Sequence, residues 1–97
     1  MLDLSQTIGF DWDDGNIAKN TSKHLVSQNE AEQIFFDDHL VLTDDLKHSE
    51  NEIRYQALGR TSEGRLLHVT FTLRDKGTRI RVISARGANR KERAAYE

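Results

Sequence analysis

The hydrophobic period of this chain changes near residue 39, and that change restricts the fold more than any other feature. Before it, apolar residues recur at helical spacing; after it, they alternate. Helices gathered early and strands gathered late predict an α+β domain in which helices cover a sheet. In the first half, Thr7–Trp12 reads as a short strand with Ile8, Phe10 and Trp12 on one side. Asp13 or Asp14 then caps a helix running to about Leu25, with Ile17, Thr21, His24 and Leu25 on one stripe. Ser27-Gln28-Asn29-Glu30 has the Ser-x-x-Glu form of a capping box. A second helix should follow it, burying Ala31, Ile34 and Phe35.

The second half reads as strands over His39–Thr43, Ile53–Arg60, Arg65–Arg74 and Thr78–Ala85. Turns fall at Thr61–Gly64 and at Asp75–Gly77, where glycine takes a positive φ without a Cβ penalty. Asn89 caps a closing helix that reaches Tyr96. The predicted architecture is a small antiparallel meander sheet with two N-terminal helices and a C-terminal helix, all packed on one face. No proline and no low-complexity linker marks a boundary, so residues 1–97 are expected to form a single domain.

Composition removes several classes of function. Without cysteine there is no disulfide, no thiol nucleophile and no thiolate metal site. His24, His39, His48 and His68 show no i, i+4 ligand spacing, so neither a metal nor another cofactor is expected. No apolar run exceeds three residues, which excludes a helical membrane span. Met1-Leu2-Asp3 opens an acidic stretch without the basic and apolar blocks of a secretory signal, so a cytoplasmic location is expected.

The net charge of −2 conceals a strong asymmetry. Residues 1–53 carry twelve Asp/Glu against three Lys, a net of −9; residues 54–97 carry eleven Lys/Arg against four Asp/Glu, a net of +7. The basic half therefore suits a polyanion, unless the two halves neutralise each other within the fold. Alternation places Arg79 with Arg81 on one strand face and Arg54 with Arg60 on another, so the four are expected to line one open surface. Ile83 lies in phase with Arg79 and Arg81, and one β-bulge would change that register. Glu63, Asp75, Glu92 and Glu97, the acids after residue 53, are too few to pair every arginine. A guanidinium makes two hydrogen bonds to phosphate and keeps its charge at any working pH.

Four stretches in order resemble the BrnT toxins of bacterial type II toxin–antitoxin systems. They are Phe10-Asp11-Trp12-Asp13, Lys23-His24-Leu25-Val26-Ser27, Gly59-Arg60-Thr61 through Arg65-Leu66-Leu67, and Arg79-Ile80-Arg81-Val82-Ile83-Ser84-Ala85-Arg86. The tail Arg90-Lys91-Glu92-Arg93 with Tyr96 fits the same family's closing helix. Leu25 stands where the family usually has glycine, a change that costs backbone freedom. The resemblance implies a RelE-like fold and metal-independent endoribonuclease activity. It also implies neutralisation by a BrnA-type antitoxin, whose ribbon-helix-helix domain binds DNA for the complex.

Such cleavage uses the ribose 2′-OH as nucleophile. It needs a proton acceptor, charge stabilisation at phosphorus and a proton donor to the leaving 5′ oxygen. Arg60, Arg81 and Arg86 are assigned to the phosphate charge, and His24 with Lys23 to proton transfer or positioning. Lys19, one helical turn before Lys23, joins Arg54 and Arg79 as RNA contacts. Glu52 is expected to pair with Arg54, His68 to pack or face an edge, Trp12 to enter the core, and Tyr96 to anchor the last helix. The rivals are a non-catalytic basic binding module and a degenerate toxin that serves only as antitoxin partner and corepressor.

Overall fold

The computed structural model describes residues 4–13, 25–45, 47 and 51–97. Among them, β1 (Gly9–Asp11) precedes helix α1 (Gln28–Gln33), which tightens into a 3-10 turn at Ile34–Phe36. Strands β2 (Val41–Asp44), β3 (Tyr55–Arg60), β4 (Leu66–Arg74) and β5 (Arg79–Gly87) follow, and helix α2 (Arg90–Tyr96) closes the chain. The helix expected between Asp13 and Leu25 lies outside the described residues for almost all of its length. At its end, Leu25 takes a φ of +55° and is not helical.

Both described helices start where the capping residues predict. Ser27 Oγ accepts from Glu30 N, and the Glu30 carboxylate accepts from Ser27 N. Asn89 and Glu92 repeat the exchange at α2. Ala31 and Ile34 are buried, and Phe35 packs against the core beside them.

The sheet has the order β1-β5-β4-β3-β2. Its four later strands form the antiparallel meander expected from their short turns, but β1 pairs with β5 in parallel. No tight turn links those two strands, so the long intervening chain leaves the direction of β1 free. Phe10 faces the core, whereas Ile8, expected beside it, is 79% exposed. Trp12 packs against the core as expected and donates from Nε1 to Glu32 Oε2 at 2.8 Å.

One sheet face carries Leu67, Val69, Phe71, Ile80, Val82 and Ala85 against α1 and the 3-10 turn. Phe35 meets Phe10 and Phe71 edge-on, with centroids 5.7 and 5.2 Å apart, a favoured geometry for the ring quadrupoles. Gly59 permits the close approach of the 3-10 turn: a Cβ there would stand 2.9 Å from both Ile34 Cβ and Ile34 O. The helices do not share one face. The short Ala88-Asn89 link turns α2 back over the opposite side of the sheet, where Glu92 reaches His68 and Tyr96 reaches Asp37.

Candidate RNA-binding face

Register decides where the basic side chains stand. Arg79, Arg81, Ser84 and Arg86 oppose Arg74, Thr72, Thr70 and His68 on β4. Those four alternate along β4 and so project to one side, away from the core. Arg81 and Arg86 are five apart, which in a regular strand would send them to opposite sides. A bulge resolves this: Phe71 opposes Val82 while Thr70 opposes Ser84, leaving Ile83 as the extra residue. The bulge removes Ile83 from the phase of Arg79 and Arg81 and brings Arg86 onto their face. Arg60, opposite Leu66, projects to the same side. Arg79 to Arg86 spans about 20 Å of strand, a row along one sheet face. Arg54 precedes β3, and its carbonyl accepts from Asp45 N at 2.9 Å. Lys19, Lys23 and His24 lie outside the described residues.

Each arginine in the row has a carboxylate partner, contrary to the expectation that acids are too few. Arg79 meets Asp75 at 3.1 Å, and Arg60 meets Glu97 at 3.5 Å. Arg81 is held by Asp13 and, at 3.6 Å, by Asp11; both acids come from the acidic half through β1. Their proximity, Asp13 first, pushes the Arg81 guanidinium above its ordinary pKa. Arg86 makes a bidentate pair with Glu92, 2.8 Å in each arm. Glu52 pairs with Arg74 at 3.1 Å, not with Arg54 as expected. These contacts differ in strength. Exposed pairs such as Arg60–Glu97 and Arg79–Asp75 contribute at most about 1 kcal/mol. The forked Arg86–Glu92 pair is far firmer.

Glu92 links Arg86 to His68. Arg86 first, helped by the Asn89 backbone and by His68, holds its carboxyl at about 2 despite the opposing effect of burial. His68 Nε2 lies 3.6 Å from Glu92 Oε2, and the imidazole is 8% exposed. Burial pushes the His68 pKa down; Glu92 and Asp45 oppose the shift, and Arg86 adds to it. His68 was expected to pack or face an edge, and alternation alone placed it opposite Val69. The approach of Glu92 was the missing part, because it depends on where α2 folds back.

Tyr96 anchors α2, as expected. Its hydroxyl donates to Asp37 Oδ2 at 2.5 Å, and Arg60 stands 5.2 Å above its ring. Asp37 also accepts from the backbone N–H groups of Arg60, at 2.8 Å, and His39, at 3.0 Å. Burial alone would raise the Asp37 pKa, but these donors hold it below its ordinary value. The end of β3 that carries Arg60 is thereby tied to the C-terminal helix.

Among the described residues, no three His, Asp or Glu side chains converge as ligands for a metal, and no helix is long and apolar enough to cross a membrane.

The fold and this sequence both have known counterparts. The crystal structure of the Brucella abortus ribonuclease toxin BrnT superimposes with a TM-score of 0.64 at 20% identity, covering 87% of this chain and 100% of that one. No curated protein matches the chain. The family described as ribonuclease toxin, BrnT, of type II toxin-antitoxin system matches residues 12–92, which include strands β2 to β5, both described helices' capping residues and the whole arginine row. The chain belongs to the BrnT family of ribonuclease toxins of type II toxin–antitoxin systems.

Proposed function

We propose that this protein is a metal-independent endoribonuclease acting in the cytoplasm on RNA laid across the arginine-bearing sheet face. The observation that carries the reading is the β5 bulge, which sets Arg81 and Arg86 on one side together with Arg60 and Arg79. The ribose 2′-oxygen attacks the adjacent phosphorus, the bond to the 5′ oxygen breaks, and a 2′,3′-cyclic phosphate remains. Arg60, Arg81 and Arg86 stabilise the charge that grows on the phosphorane oxygens, where preorganised cations act most strongly. Lys23 and His24 position the linkage and move the two protons. Lys19, Arg54 and Arg79 hold flanking phosphates. At Arg81 the RNA phosphate exchanges with the Asp13 carboxylate, whereas Arg86 acts while still held by Glu92.

A BrnA-type antitoxin neutralises the toxin, and its ribbon-helix-helix domain supplies the DNA contacts of the complex. A second reading, a non-catalytic partner of the antitoxin, is favoured by one observation: all four arginines of the row are already ion-paired. Incubating the purified protein with RNA in EDTA separates the two. Cleavage is expected to persist in the chelator. It is expected to fall by about a hundredfold or more in Arg60→Ala and in Arg81→Ala, the usual loss when a transition-state donor is removed. Intact RNA with the native protein would sink the nuclease and leave the binding partner.

A further inference from the structure

A groove of about 310 Å³ lies on the arginine face between α2 and strands β2, β3 and β4, and no step of the proposed cleavage uses it. Val41, Leu58 and Ala95 give it apolar walls. Thr43 and Gln56, cross-strand neighbours, bring a hydroxyl and an amide to it, and among the described residues neither side chain is engaged elsewhere. Lys91 also lines it, and the His68–Glu92 pair closes the side next to Arg86.

These features match one chemistry. An unpaired base needs apolar surface for its faces and a few groups that both give and accept hydrogen bonds along its edge. The amide of Gln56 and the hydroxyl of Thr43 do both. The volume lies at the lower limit of ligand sites, about 300 Å³, so it admits one nucleoside and no duplex. The groove also adjoins the arginine row, since His68, which lines it, is the cross-strand partner of Arg86. The geometry points to a subsite for a single unpaired RNA base, read by Gln56 and Thr43, with its phosphate met by Lys91 beside the Arg86 end of the row. This inference rests on the ribonuclease reading and adds the determinant of cleavage sequence.

Mapping cut sites on a single-stranded RNA of mixed sequence tests it. The native protein is expected to favour one base at a fixed distance from the cut. Gln56→Leu or Thr43→Val is expected to flatten that preference about tenfold, the usual discrimination of an edge contact. Ala95 is exposed on α2, so Ala95→Phe keeps the fold while filling the groove. It is expected to weaken binding of an uncleavable 2′-O-methyl RNA about tenfold, through loss of the apolar surface that one base would bury there. Cleavage with no base preference, or with a preference indifferent to Gln56 and Thr43, would overturn the subsite and leave the nuclease standing. A native protein that neither cuts nor binds RNA would overturn the ribonuclease reading first, and the subsite with it.

Discussion

Leu25 carries a backbone conformation suited to glycine: its φ is +55°, and its side chain is 75% exposed. In that region the Cβ crowds the following carbonyl at a cost of about 1–2 kcal/mol. The conformation persists because Arg65 Nη1 donates to the Leu25 carbonyl at 2.8 Å and to Glu30 Oε2 at 3.2 Å, pinning the segment to the start of α1. Leu25→Gly removes the crowding, offset in part by the greater entropy of an unfolded glycine. A net gain of about 0.5–1 kcal/mol is expected, raising the midpoint of thermal unfolding by about 4 °C. A lowered midpoint would mean that the exposed leucine contributes packing. The departure from glycine was legible in the sequence, but its conformational consequence was not, because a single residue type does not specify its φ. The partner of Glu52 was equally hidden: proximity along the chain favours Arg54, while the sheet brings Arg74 to it.

At the scale of elements, α2 is a seven-residue helix that would not stand alone. Its capping box starts it, and its contacts with the sheet keep it. Glu92 serves both, accepting from Asn89 N and from Arg86. Its folded pKa of about 2 lies below the ordinary 4.5, so the carboxylate stabilises the fold at pH values above 4.5. That contribution is lost as pH falls through about 2. Glu92→Gln keeps the cap and removes the charge. It is expected to destabilise the protein by about 1–2 kcal/mol near neutral pH, after allowance for solvent screening. The gap between the two unfolding curves should narrow below 4.5 and close near 2. A gap independent of pH would show that the Arg86–Glu92 pair contributes nothing. The strands and both capping boxes could be read from alternation and Ser/Asn-x-x-Glu spacing, with ends displaced by one or two residues. The direction of β1 and the side taken by α2 could not, because both depend on partners far away in the chain.

Across the whole molecule, the acidic and basic halves meet at the seam between β1 and β5, where Asp11 and Asp13 reach Arg81. The fold therefore cancels part of the charge asymmetry within the arginine row itself. If the arginine row takes the scissile phosphate and Lys19, Arg54 and Arg79 each take a flanking one, the logarithm of affinity for an uncleavable single-stranded RNA should fall with the logarithm of salt at a slope of about −3. Arg79→Ala should reduce that slope by about 0.7. A slope near zero would remove the phosphate track, whatever the catalytic result. The family-like segments, the helix-then-strand order and the concentration of arginine in the second half are local properties, and the residues alone determined them. Which arginines share a face was decided by the bulge at Ile83, and the pairing of Arg81 and Arg86 by the docking of β1 and α2. Those outcomes depend on register and long-range packing, where one extra residue in a strand reverses the side to which every later side chain points.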